Sequence, residues 1–312
     1  MSTRVIRILE AVLLSGTLAA GGVQAAFAQE TEAAGAQTEG TVSSDIRTAK
    51  DVTALLGSAL KTAGGYELSL TQEAEASLTR KEGSEADFSL NADAVSKVSY
   101  ADGFVWEGTF KASGKAEGSD ISALCSAYAQ ETGEGGDLYL NMSLNGAEGT
   151  WKKYSVQQDA WEELKSVLDI AENQDLLTAF GHYKKFPQMS SVGDDQCYET
   201  RGILSARELG PVWNTLKDAA QKTGAGEDKL ALLETGVGAF IGNTIVRVSA
   251  KDGMLREMTI DASSSNWHKI AQMFPEMIGE EDTVSISKLS IQGQITPPQG
   301  KIAIPQEALD AE

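Results

Sequence analysis

Cysteine and histidine are nearly absent from this chain, with two of each among 312 residues. Cys125, Cys197, His182 and His268 are far apart in sequence and have no metal-ligand spacing. A Cys–His nucleophile would have to come from these four residues, and nothing flanking them supports one. The chain also lacks a G-x-S-x-G elbow, an H-E-x-x-H helix, a P-loop and a dinucleotide fingerprint. Basic residues are in deficit: 26 Lys and Arg stand against 45 Asp and Glu, a formal net charge of −19 at pH 7. Such a chain repels nucleic acid and anionic membrane surfaces at long range. No apolar run reaches the roughly 20 residues that a transmembrane helix needs. No catalytic constellation, metal site or cofactor motif emerges, so no cofactor is expected.

The N-terminus carries a different signal. Arg4 and Arg7 precede an uncharged stretch over residues 11–23, and Ala26-Phe27-Ala28 follows with small residues at −3 and −1. This is the pattern of a secretory signal peptide (1–28) cut after Ala28. No Cys lies near the cleavage region, which argues against a lipoprotein anchor. The expected location is outside the cytoplasm, secreted or in the cell envelope of a bacterium. Residues 29–43 are rich in Ala, Gly, Glu and Thr and read as a disordered lead-in. Residues 44–312 are expected to form one domain. In an exported chain Cys125 and Cys197 suggest a disulfide, stabilising by roughly 4 kcal/mol on the chain-entropy model. The alternative is two buried free thiols.

Residues 244–262 are the best-specified stretch and read as a β-hairpin turning at Lys251-Asp252-Gly253. The expected register sets Ala250 opposite Met254, Val248 opposite Arg256, Val246 opposite Met258 and Thr244 opposite Ile260. The other face pairs Arg247 with Glu257 and Ile245 with Thr259. One apolar face and one polar face describe an antiparallel sheet covered on one side.

The rest of the chain extends that sheet. Residues 44–64 carry a helical stripe of Val52, Leu55, Leu56, Ala59, Leu60 and Ala63, stopped by Gly64-Gly65. From Tyr66 to Tyr154 the apolar period is two, with Gly-, Asp- and Asn-containing turns, which predicts an antiparallel meander. Its many small residues suggest bends that curve the sheet. Trp161, Leu164, Val167, Leu168 and Ala171 mark a helix, with capping-box spacing from Asp159 to Glu162. Residues 190–195 read as a polar loop and residues 196–204 as a strand. Ser205 and Glu208 form a second capping box. Helices are expected over residues 175–180, around 212–220 and, broken near Pro275, over 266–278. Residues 230–240 read as helix or loop. A last strand covers residues 283–295, where the apolar face shifts between Ile286 and Leu289 and implies a bulge.

Phe104, Trp106 and Phe110 share one strand face, while Trp161 and Trp213 sit on or beside helical faces. With Met254, Met258 and Ile260 they are the candidates to line a helix–sheet interface or cavity. A cavity of this kind could hold a lipid-like ligand, and an ordinary filled core is the competing reading. Trp151 with Lys152, Lys153 and Tyr154 is a minor candidate for surface contact.

Three segments carry a resemblance: Cys197-Tyr198 with Ser205-x-x-Glu208-Leu209, the run 244–261, and Ile304-Pro305-Gln306-Glu307-Ala308. Together with the order of elements they resemble the LolA/LppX/LprG-like superfamily of exported lipid-binding proteins, in particular an uncharacterised Gram-positive branch. The resemblance implies an α+β half-barrel, a single strongly curved antiparallel sheet with helices on its concave face. It also implies a hydrophobic cavity for a lipid or a lipidated partner, and a protein that is not an enzyme. The lipobox Cys of the common form is missing. Two other functions fit the composition: an envelope interaction module with a filled core, and a carboxylate-based hydrolase.

Overall fold

The computed structural model describes residues 46–101, 103–116, 118–169, 171, 186–208, 210, 234, 238, 240–265, 283–298 and 300–311. The signal peptide and lead-in, Trp213, both histidines, most of residues 230–240 and the helices expected over 175–180, 212–220 and 266–278 lie outside them.

The first helix, α1 (Ala49–Thr62), begins where its sequence can satisfy the free N–H groups. Asp51 N–H donates to Thr48 Oγ1 at 3.2 Å, and Thr48 N–H donates to Asp51 Oδ2 at 2.7 Å. This reciprocal box also holds the Asp51 carboxyl below its ordinary value, chiefly through the backbone N–H of Arg47. Gly64, at φ 66, then turns the chain out of the helix.

Six strands follow as a meander: β1 (Gly65–Thr79), β2 (Glu85–Ser99), β3 (Val105–Ala116), β4 (Ser119–Thr132), β5 (Gly135–Leu144) and β6 (Lys152–Gln157). The second helix, α2 (Gln158–Leu168), comes next. Five more strands are β7 (Gln188–Val192), β8 (Asp195–Ser205), β9 (Ile241–Ser249), β10 (Leu255–Asp261) and β11 (Thr283–Thr296), and a short α3 (Gln306–Leu309) follows. They form one antiparallel sheet of 11 strands in the order β6-β5-β4-β3-β2-β1-β11-β10-β9-β8-β7. The expected single antiparallel sheet is therefore present, and among the described residues the protein is mostly β with few short helices.

The strong curvature is not there: among the described residues β6 pairs only with β5 and β7 only with β8, and the sheet neither closes nor curls strongly. The small residues that suggested curvature do another job. A Cβ at Gly108 would come within 2.2 Å of the Trp106 ring, and one at Gly136 within 2.1 Å of the Trp161 ring. These glycines let large side chains lie flat against the sheet.

Pairing across the sheet puts one set of side chains on one face. Tyr66, Leu68 and Leu70 face Val98, Ser96 and Ala94, which face Trp106, Gly108 and Phe110. The series continues through Ala129, Ala127 and Cys125 to Leu138, Leu140 and Met142. In the other direction Leu68 and Leu70 face Ile295 and Gly293, and Gly293 faces Met258, which faces Val246. Helix α1 lies on this face against β1 and β8, and α2 lies against β5 and β6. The 14 residues of α1 extend about 21 Å. The four strand spacings between β1 and β8 come to about 19 Å. The helix is thus long enough to bury its Val52, Leu56 and Leu60 stripe across both.

The 244–262 hairpin keeps its expected pairs Arg247–Glu257, Val246–Met258, Ile245–Thr259 and Thr244–Ile260. Val246, Met258 and Ile260 are fully buried. The expected Val248–Arg256 pair is wrong. A register shift at Leu255–Glu257 puts Leu255 opposite Val248. The shift buries Leu255 and leaves the Arg256 guanidinium to bind Asp195 and Asp252. The bulge expected in the last strand is present: Ser287 is the extra residue opposite Glu75–Ala76, and its hydroxyl donates to the Glu75 carbonyl.

Two local readings are corrected. Asp159 does not cap α2, because the helix already starts at Gln158 with Gln157 as its N-cap. Residues 190–195 are not a loop, because β7 pairs with β8 through a turn at Gly193-Asp194. An edge strand needs no buried face, so its sequence need not alternate. Half of the Ser205–Glu208 box is present, with Ser205 N–H donating to Glu208 Oε2 at 3.1 Å, while Ser205 Oγ accepts from Arg207 N–H at 3.3 Å.

No disulfide joins Cys125 and Cys197, and both thiols are free. They sit on β4 and β8, seven strand positions apart, or roughly 34 Å along an open sheet. A disulfide needs its Cα atoms within about 7 Å.

Candidate functional site

The helix-covered face is where the candidate residues meet. Phe104, Trp106, Trp161, Met254, Met258 and Ile260 belong to one buried cluster with Leu60, Tyr66 and Val98. Phe110 instead packs against a second, smaller cluster of Leu90, Ala92, Ala112, Ile121 and Ala123. Trp213 lies outside the described residues.

Helix α2 anchors the cluster through Trp161, which is wholly buried. Its indole stands edge-on to Phe104 at 5.9 Å, and Phe104 in turn approaches Tyr100 at 6.4 Å. The Lys165 ammonium lies 5.5 Å from the centre of the Phe104 ring and pairs with Glu131 at the rim. Just past the helix, Asp169 is fully buried. The hydroxyls of Tyr66 and Tyr100 donate to its carboxylate at 3.2 and 2.7 Å, and Ala171 N–H donates at 2.9 Å. Charge-assisted hydrogen bonds of this kind keep a buried carboxylate from being orphaned. Sequence reading missed this trio. The available signal was a tyrosine on each apolar strand end, since a buried Tyr hydroxyl needs a polar partner.

The two buried indoles of the face differ in one respect. Trp106 Nε1 donates to Ser96 Oγ at 2.8 Å. Trp161 Nε1 is buried with no hydrogen-bond partner, and so is Thr200 Oγ1 on β8. An unpaired buried donor costs about 1–3 kcal/mol.

The face is not sealed at the β5–β6 side. Phe110, Cys125 and Met142 are cross-strand neighbours in one row. Phe110 and Cys125 are partly buried, while Met142 is 52% exposed and Tyr154, on the same face of β6, is 46% exposed. Burial pushes the Cys125 thiol above its ordinary pKa. The Cys197 thiol also titrates high, first from burial and then from the nearby Asp195 carboxylate. Native protein is expected to give one titratable thiol at pH 8, Cys125, and two after denaturation. A thiol count with an aromatic disulfide reagent checks this.

A separate open cleft of about 820 Å³ lies at the β1–β2 turn, lined by Glu75, Arg80, Glu85, Asp87, Phe88 and Lys115 among others. Its charges are mixed, and Phe88 in its lining packs on the same smaller cluster as Phe110. Among the described residues no group of three His, Cys, Asp or Glu side chains could hold a metal ion. No helix among them is long and apolar enough to cross a membrane. The Trp151 ring meets Tyr128 at 5.7 Å in a tilted contact, on the flank of the meander.

No protein-family model matches the chain. No curated protein matches it either. Among solved structures, a DUF1329 family protein from Desulfovibrio piger is 10% identical, with 80% of this chain and 90% of the other covered and a TM-score of 0.18. A β-barrel-like protein with the domain of unknown function DUF1849, from Brucella abortus, is also 10% identical, with 73% and 96% covered and a TM-score of 0.19. These weak likenesses assign the chain to no family.

Proposed function

We propose that this protein is an exported, non-enzymatic carrier that binds a hydrophobic or amphiphilic molecule, such as a lipid or the acyl part of a lipidated partner, on the helix-covered face of its sheet. The observation that carries the reading is the Phe110–Cys125–Met142 row. It leads from partly buried side chains out to a half-exposed methionine without leaving the apolar face. A filled core has no use for an apolar track that reaches solvent, whereas an acyl chain needs one to enter. Burying such a chain contributes about 25 cal/mol per Å² before entropic costs. The resemblance to the LolA/LppX/LprG-like superfamily and the signal-peptide pattern support the same reading.

Cys125 gives a direct test, because its thiol lies on the track while Cys197 is fully buried. The protein is expected to bind a fluorescent fatty-acyl probe saturably. Alkylating Cys125 at pH 8 with a bulky maleimide should weaken binding at least tenfold, and prior acyl loading should slow the alkylation. Absence of saturable binding would favour the filled-core interaction module. A glycan-cleaving activity lost on replacing a single Asp or Glu would favour the hydrolase.

A further inference from the structure

We infer that the carried molecule is a fatty acid, a single acyl chain whose carboxylate is held by Lys152 at the mouth of the apolar track. The inference deepens the carrier reading above and rests on it. Lys152 and Lys153 are neighbours on β6, so they face opposite sides of the sheet. Lys153 pairs with Asp137 and lies over the Tyr139 ring. Lys152 stands opposite Leu140, which packs against the main buried cluster, and Tyr154 follows on the same face opposite Leu138. Register puts the other strand cations elsewhere. Lys97, Lys111, Lys115, Arg201, Arg247 and Lys288 are on the far face, and Arg256 at its bulge is taken by Asp195 and Asp252. Among the described strands the apolar face therefore carries one basic side chain, and it stands at the open side.

The position suits a boundary between water and hydrocarbon. The β5–β6 ladder ends at the Leu140–Lys152 pair, one row short of Met142, so Met142 is half-exposed and Lys152 is its diagonal neighbour. Lysine lays its carbon stem on apolar surface and keeps the ammonium in water. A carboxylate bound there stays hydrated, so the pair avoids the cost of burying charge. From β6 to β3 the three strand spacings come to about 14 Å, and a chain of about ten carbons covers that distance. It would pass Met142 and Cys125 to reach Phe110. With a net charge of −19 the protein repels anions at long range, so selection of a carboxylate at this mouth comes from the local ammonium.

The test measures decanoate, decanol and decylammonium at pH 7, each displacing a dansylated undecanoic acid probe from the full chain. Decanoate is expected to bind the wild type more tightly than decylammonium. That comparison needs no variant, and equal binding of the two would refute the site. Lys152→Gln should raise the decanoate Kd about fivefold, the upper end for a solvent-exposed ion pair, and change the decanol Kd less than twofold. Lys152→Glu should reverse the order of decanoate and decylammonium. Lys153→Gln removes the same charge on the far face and should leave the decanoate Kd within twofold of the wild type. Equal losses for decanoate and decanol, or equal losses in Lys152→Gln and Lys153→Gln, would overturn the carboxylate site and leave the carrier reading standing. So would self-association of Lys152→Gln with ligand preference unchanged, which would make Lys152 a guard of the edge strand. Failure of the probe and all three ligands to bind the wild type would overturn both.

Discussion

Replacing Trp161 with alanine is expected to lower the unfolding free energy by about 3–5 kcal/mol, the range for emptying a large aromatic site in a packed core. Trp161 is wholly buried and is the residue through which α2 reaches Phe104. On one side the opposing surface is backbone at Gly136, which has no side chain to swing in and fill the void. The same contact predicts a coupling. Gly136→Ala alone brings a methyl group against the rigid part of the indole and forces α2 outward, costing about 3 kcal/mol. In a Trp161→Ala background that methyl group meets empty space, and the cost should fall below about 1 kcal/mol. Urea unfolding of the two single variants and the double variant measures the difference. Additivity within about 0.5 kcal/mol would mean that the ring does not rest on Gly136.

The sheet was legible because its buried face has a period of two that survives from Tyr66 to Ile295. Each strand needs that period only to cover one side, and the helices α1 and α2 showed their 3.6-residue stripes for the same reason. The Ser287 bulge was readable from the face shift between Ile286 and Leu289. The bulge at Arg256 was not. Arg256 sits where alternation demands an inward residue, and only the positions of Asp195 and Asp252 reveal why it is displaced. Strand β7 was illegible because an edge strand with one neighbour carries little hydrophobic signal. Curvature was misread because glycine in a strand signals a bend or a close approach equally well, and here Gly108 and Gly136 serve close approach. Six of the eight proposed lining residues meet in one cluster, and strand parity fixes the face of Trp106, Met258 and Ile260 among them. The Asp169 node was missed because it joins residues 66, 100 and 169 through polar atoms that no periodicity tracks, and the two tyrosines signalled only that some polar partner was needed.

Arg247→Met is expected to cost about 3 kcal/mol at pH 7, with a pH dependence that identifies the cause. On the face opposite the helices, Glu199, Arg247 and Glu257 are cross-strand neighbours on β8, β9 and β10. Arg247 donates to Glu199 at 2.7 Å and also binds Glu257. The Glu199 side chain is 5% exposed, whereas its other partner, Arg201, is 56% exposed. Removing Arg247 therefore strands a buried carboxylate with one solvent-facing cation, the situation in which breaking a buried pair is most costly. In the native protein burial pushes the Glu199 carboxyl upward, but the hydrogen bonds from Arg201 and Arg247 outweigh it and bring the carboxyl below its ordinary value. A depressed carboxyl contributes stability above its unfolded value, near 4.3, and loses it as pH falls through the folded value. Without Arg247 burial dominates, so the folded value rises and protonation relieves the strain instead. The gap between wild type and variant is thus widest near pH 7 and closes below about pH 4. Adding Glu199→Gln to Arg247→Met should recover part of the loss at pH 7, because the uncompensated charge is gone. Denaturant unfolding at both pH values tests this. A deficit that is the same at each would show that Arg247 contributes by packing its stem and not by neutralising Glu199.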